Sequence, residues 1–275
     1  MNLVWAALVI AVATAPAVAA ILLVRRRAPE GSYFADGDRA AGVFGVLATG
    51  FSVLLGLIVF LAFESYDQSR TGAETEALVL AQQVETAQFF ARPVGDRLTG
   101  QLVCYGRSVV STEWPQAEAG ERPDDINPWG AELFRTLQTV EPQAPSQQSA
   151  YDKWLDQTSE RETARSDRLH GAVGVIPTPL WIVLILIAAV IFVFMLFFAD
   201  PAEGAITQAV LMGSVVSVIA AMLLLIRFLD SPFHEGIGGV RPVAMERTLR
   251  IIDEELRVVN RPIPLPCDSA GTVAS

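Results

Sequence analysis

The chain has 275 residues, of which 52% are hydrophobic and 18% charged, with a formal net charge of −10. Together with a mean hydropathy of +0.40, this is too apolar for an ordinary soluble domain and suits a membrane protein carrying one polar domain. The acidity argues against nucleic acid as a partner and against docking on anionic lipid headgroups.

Four runs contain no charged residue: Leu3 to Val24, Ala41 to Phe63, Leu180 to Ala199 and Ala205 to Ile226. Each has about 20 residues or more, enough to cross ~30 Å of hydrocarbon at ~1.5 Å per residue. A backbone in lipid must satisfy its own hydrogen bonds, so the runs are expected to be helices. Two precede and two follow a long polar stretch. The first is not read as a cleaved signal peptide. Ala17-Val18-Ala19 has a cleavage-like pattern, but no basic segment precedes the run, and apolar residues continue to Arg25.

Arg25, Arg26 and Arg27 follow the first span, and Arg39 precedes the second. The positive-inside bias puts that loop in the cytoplasm. The N-terminus, the polar domain and the C-terminus are then expected outside the cytoplasm, in a multi-pass protein of the cell membrane.

After the second span, residues 64–91 contain no Pro, and Ala77, Leu78, Ala81, Val84 and Ala87 recur at helical spacing. The span is therefore expected to continue as helix beyond the membrane. Further helices are expected over 96–112, 129–140 and 150–170. Loops are expected at 116–128 and 141–149, where Pro recurs. From Glu64 to Pro177 there are 18 acidic and 10 basic residues, a net of −8. In the tail, Met245, Leu249, Ile252, Leu256 and Val259 form one apolar stripe and predict an amphipathic helix over 242–259. Small residues and prolines beyond Arg261 predict a disordered end. No alternating strand pattern is present, so the expected fold class is all-α: four transmembrane helices, two plus two, around a large helical polar domain. The expected divisions are a membrane hairpin over 1–63, the polar domain over 64–177, a second hairpin over 178–230 and a tail over 231–275.

Four local motifs fall at the membrane exits and in the polar domain. They are Phe63-Glu64-Ser65-Tyr66-Asp67, Glu113-Trp114-Pro115, Pro179-Leu180-Trp181 and Leu229-Asp230-Ser231-Pro232-Phe233. In this order, with this span layout, the chain resembles the bacterial bestrophin-like membrane proteins, once a domain of unknown function, over roughly residues 1–260. The resemblance implies an oligomeric channel for small anions whose pore is lined by the second span. It also implies a cytoplasmic polar domain and termini, against the charge pattern around Arg25. In bestrophins an acidic calcium-binding cluster follows the Pro-Phe-Gly stretch after the fourth span. Here His234-Glu235-Gly236 follow Pro232-Phe233 with no run of acids, so no calcium clasp is expected.

In the second span, Gly45, Thr49, Ser52 and Gly56 are spaced by 4, 3 and 4 residues and lead to Phe60 and Phe63. Small residues and hydroxyls suit a pore wall, with a phenylalanine as an apolar constriction. The same spacing lets two helices pack closely, which is the plainer reading. In the fourth span Gly213, Ser214, Ser217 and Ala221 read as a packing seam. Arg161, Arg165 and Arg168 share one helix face before the third span. They form either an anion funnel at a pore mouth or, more plainly, ion pairs with nearby acids such as Glu64 and Asp67. The Asp230 carboxylate is expected to cap the turn at Ser231-Pro232, with Phe233 anchoring that turn at the interface. Cys104 and Cys267 lie on the same side of the membrane. They form a possible disulfide, although two unrelated thiols is the plainer reading.

His170 and His234 lack metal-ligand spacing, so neither a metal nor another cofactor is expected. The uncharged spans offer no proton relay, and no catalytic motif is present, so an enzyme is not expected. The sequence thus points to a homo-oligomeric ion channel. The alternative is a non-conducting membrane-anchored scaffold or sensor whose polar domain binds a protein or envelope partner.

Overall fold

The computed structural model describes residues 3–123, 126–260 and 262–273. Among them the structure is helical, with only an isolated bridge between Cys267 and Val273. The helices are α1 (Leu3–Arg25), α2 (Gly37–Ala87), α3 (Arg92–Ser108), α4 (Trp114–Glu118), α5 (Pro128–Leu137), α6 (Pro145–Arg168), α7 (Thr178–Phe197), α8 (Ala205–Leu229) and α9 (Val243–Val258). A π-helical turn, Val109–Glu113, joins α3 to α4. The expected helix over 96–112 therefore starts earlier and does not stop at Trp114. Pro115 lacks an N–H and would crowd the carbonyl of Ser111 in a regular helix. The wider turn, with Trp114 N–H donating to Val109 O, lets the chain pass. The expected 150–170 helix begins at Pro145, because a proline fits the first helical turn.

The chain forms two compact units. The first comprises the chain through Glu64, Val175–Asp230 and Gly236–Gly238, so both membrane hairpins fall into it. All four span candidates are helices, with mean hydropathies of 2.5 to 3.3 over their most apolar windows. Phe51, Leu55 and Ile58 of α2 pack with Leu184 and Ile191 of α7 and Ile226 of α8. Ala17 and Ile21 of α1 cluster with Ala199 and Met212. At the seam between α1 and α8, Gly213 lies beside Val18 and Thr14, and the Thr14 and Ser217 hydroxyls are 2.9 Å apart. The expected seam narrows to these residues. Ser214 is exposed and donates to the Leu211 carbonyl of its own helix, and Ala221 is exposed. The reason is rotation around α8: only one edge of the small-residue face meets α1.

The second unit comprises Ser65–Gly174, Ser231–Glu235 and the chain from Gly239 onward. Its core joins Leu80, Val84 and Ala87 of α2, Leu98, Leu102 and Tyr105 of α3, Trp129 and Leu133 of α5, Trp154 of α6, and Met245 and Ile252 of α9. Gly72 lets α2 approach α6, since a Cβ there would run into the backbone at Ala164 and Arg168. The tail is not disordered over 262–273, contrary to the composition. It lies along the Gly100–Cys104–Ser108 face of α3. A Cβ on Gly100 would come within 2.6 Å of Pro264 O. Trp129 Nε1 donates to Gly271 O at 2.6 Å, and Arg107 Nη1 to Asp268 O at 3.0 Å. The Cys104–Cys267 disulfide closes the segment onto α3, with Cα atoms 5.8 Å apart. These two cysteines are therefore partners, not unrelated thiols. Arg261, Ala274 and Ser275 lie outside the described residues, as do Asp124 and Asp125 of the expected 116–128 loop.

Candidate functional site

The second span has two faces with different surroundings. Phe51, Leu55, Ile58 and Ala62 are buried, Ile58 and Ala62 almost completely. Gly45, Thr49, Ser52 and Gly56 are exposed, and a Cβ on either glycine would meet nothing within 4 Å. Phe60 and Phe63 continue that face at 61% and 53% exposure, unusually high for phenylalanine. The expected close packing is therefore not made among the described residues, because the large apolar residues of the opposite face occupy the contacts with α7 and α8. Ser52 Oγ donates to the Ala48 carbonyl at 2.8 Å. The hydroxyl is thus satisfied locally while its oxygen dipole still lines the open face. Glu64 and Asp67 are exposed, and neither takes part in an ion pair among the described residues.

The three arginines of α6 lie elsewhere. Trp154, Gln157, Arg161, Ala164 and Arg168 form the buried face of that helix. Arg168 is fully buried. Its Nε donates to Glu76 Oε2 and its Nη2 to Glu113 Oε2, both at 2.5 Å. Arg165 Nε reaches both Glu113 oxygens, at 3.1 and 3.2 Å. Arg161 Nη1 donates to Gln83 Oε1 at 2.8 Å, and its guanidinium stands 4.8 Å over the Tyr105 ring. Tyr105 in turn donates to Glu76 Oε1 at 2.6 Å. Neither the funnel nor the pairing with Glu64 and Asp67 describes this arrangement. The arginines belong to an ionic core inside the polar unit. Glu76, on the buried face of α2, and Glu113, on the π turn, hold Arg168, and Glu113 also holds Arg165; Arg161 pairs with the neighbouring Glu162 at 2.9 Å.

Charge compensation governs the protonation of this core. Burial pushes the Glu113 carboxyl up, but Arg168 and Arg165 pull harder, and it ends below the usual carboxylate range. Burial, and then the Glu76 charge, push the Tyr105 phenol well above its ordinary value, so it stays a donor. Arg168 is held in its charged form although burial opposes it, because Glu76 and Glu113 face it.

The fourth-span exit also differs from expectation. Asp230 is buried, and its Oδ1 accepts from Val175 N–H at 2.8 Å and Ile176 N–H at 3.0 Å. It ties the entry to α7 rather than capping Ser231-Pro232, because two free N–H groups precede that helix. Pro232 sits against Gly171. Phe233 is buried edge-on to Trp114, with ring centroids 5.4 Å apart, so it is a core residue and not an interface anchor. Among the described residues no group of three or more His, Cys, Asp or Glu side chains is placed to hold a metal.

Four apolar helices in two pairs and an ionic helical unit define an all-α membrane protein. The chain belongs to the bestrophin-like family, whose domain model matches residues 11–245. Among solved structures it is similar to a point variant of a bacterial bestrophin homologue from Klebsiella pneumoniae. The TM-score is 0.59 at 12% identity, covering 92% of this chain and all of that one. A second variant of that homologue gives 0.59 at 13% identity, over 91% and 98% of the two chains. A crystal structure described as a membrane protein gives 0.62 at 12%, over 94% and 99%. At such identities the likeness concerns the fold. No curated protein sequence matches the chain.

Proposed function

We propose that this membrane protein is a homo-oligomeric ion channel with α2 lining the pore. The observation that carries the reading is the open face of Gly45, Thr49, Ser52 and Gly56. It is small and weakly polar, lies in an otherwise apolar span, and packs against no other helix among the described residues. Copies arranged around an axis would turn this face to the lumen, where hydroxyl dipoles replace part of an ion's hydration. Phe60 and Phe63 would narrow the path where the stripe ends. The uncharged spans suit passive conduction, since coupled transport uses ionisable groups within the membrane. Small anions are the proposed cargo through the family resemblance.

We further place the polar unit and tail outside the cytoplasm. Arg25, Arg26, Arg27 and Arg39 support this through the positive-inside bias, and the buried Cys104–Cys267 disulfide supports it through the need for an oxidising compartment. Purified protein in planar bilayers tests conduction. Discrete current steps with a reversal potential that follows the chloride gradient are expected. Absence of current at every voltage from a correctly folded oligomer overturns the channel and leaves the scaffold. Alkylation in intact cells after external reduction tests the placement: Cys104 and Cys267 should react before lysis, and protection until lysis reverses it.

A further inference from the structure

The polar unit holds a groove of about 520 Å³ between α3, α9 and the tail. This volume lies within the usual range of small-molecule sites, about 300–1,000 Å³. Its floor is apolar, with Val103 of α3 and Leu249, Ile252 and Leu256 of α9, and Ile263 and Leu265 of the tail add an apolar wall. Its rim is cationic, with Arg107, Arg250 and Arg257 against the single acid Asp253. That balance is opposite to the chain as a whole, which carries a net charge of −10.

The rim cations are not equally occupied. Arg257 is paired with Asp253, four residues earlier on α9. Arg107 gives one N–H to the Asp268 carbonyl. Arg250 is exposed and has neither an ion pair nor a hydrogen-bond partner among the described residues. The other acids of α9, Glu246, Glu254 and Glu255, do not line the groove. A guanidinium binds a carboxylate through two parallel N–H donors, and its fork is fixed before the ligand arrives. From the apolar floor and the free guanidinium at its edge, we infer that this groove binds a small amphipathic carboxylate. The alkyl chain lies on Leu249, Ile252 and Leu256, and the headgroup lies at Arg250 with Arg107.

One wall of the groove is chain that the disulfide holds in place. Ile263 and Leu265 stand just before Cys267, and Cys267 is bonded to Cys104 on α3. Reduction removes the covalent tie of that wall to α3 and leaves only hydrogen bonds such as Trp129 to Gly271, so binding is coupled to the redox state of the pair.

The inference is independent of whether the protein conducts, and binding to the full-length protein in lipid nanodiscs tests it. Calorimetric titration with octanoate, using empty nanodiscs as the blank, is expected to show saturable binding. Octan-1-ol should bind at least tenfold more weakly. Arg250→Glu should weaken octanoate at least tenfold, whereas Arg247→Glu, on the same helix but outside the groove, should leave it unchanged. Prior reduction with dithiothreitol should weaken it severalfold. Equal binding of octanoate and octanol, or an unchanged affinity in Arg250→Glu, overturns the assignment. So does failure to bind together with a change of oligomeric state in Arg250→Glu, because the groove is then an interface between copies.

Discussion

The two halves of α2 meet opposite surroundings along one continuous helix. Through Glu64 its buried positions are apolar, and its small polar positions face outward. Beyond Ser65 the buried face is mixed: Ser69, Glu76 and Gln83 are fully buried beside Ala77, Leu80 and Val84, and Leu78 is exposed at 58%. In the first half the hydrophobic effect cannot order the outward face, because lipid tails are as apolar as leucine. That face is therefore available to a lumen or to another copy. In the second half water surrounds the unit, so burial of Leu80 and Val84 drives packing, and the buried carboxylate of Glu76 must be compensated by Arg168 and Tyr105.

Substitutions should separate the halves, with the largest effect in the ionic core. Glu113→Gln removes one of the two carboxylates facing Arg168 and the carboxylate that pairs with Arg165. Thermal or denaturant unfolding should show a loss of about 3–5 kcal/mol, the usual consequence of breaking a buried pair. An unchanged midpoint would mean that the arginines are solvated. Next, the double change Cys104→Ser with Cys267→Ser opens a closure of 163 residues. Its expected cost is about 2–5 kcal/mol, and proteolysis should then cut within the tail segment. Acid titration gives a third effect. The Glu113 carboxyl is depressed in the folded chain, so its contribution is complete above the ordinary value of 4.5 and is lost as pH falls through the lower folded value. Unfolding midpoints should therefore drop as pH falls below 4.5, and the Glu113→Gln variant should show a smaller drop. In the membrane half the effects are small. Ser217→Ala removes the hydroxyl contact to Thr14, and about 0.6 kcal/mol is expected. Ser52→Leu, on the open face, should shift stability by less than about 0.5 kcal/mol, yet fill the stripe and abolish conduction.

The membrane half was largely legible beforehand because hydrocarbon imposes one rule on every residue of a span. The uncharged runs therefore located α1, α7, α8 and the start of α2 to within a few residues. The ionic core was less legible. Glu76 sits among Ala73, Ala77, Leu80 and Val84 on the buried face, and that misplaced acid was a readable signal. Arg161 and Arg168 likewise occupy the buried face of α6, with Trp154 and Ala164. The pairing of Arg168 with Glu76 and Glu113 depends on contacts across 55 to 92 residues, and the bond from Arg161 to Gln83 on one across 78, which local spacing does not encode. The tail misled for a related reason. Its composition is that of a disordered segment, but a disulfide and hydrogen bonds to α3 and Trp129 order it from outside.

The open face of α2 is tested most directly by single cysteines read out as current block. Cys104 and Cys267 are bonded to each other, so an introduced thiol is the only reactive one. Thr49→Cys lies on the stripe, and Leu57→Cys lies off it, about 80° around the helix from Thr49, at a position exposed by 56%. A charged thiol reagent added to open channels should block Thr49→Cys rapidly and leave Leu57→Cys conducting. Equal reactivity of the two positions, or block of Leu57→Cys alone, would contradict a pore lined by this face.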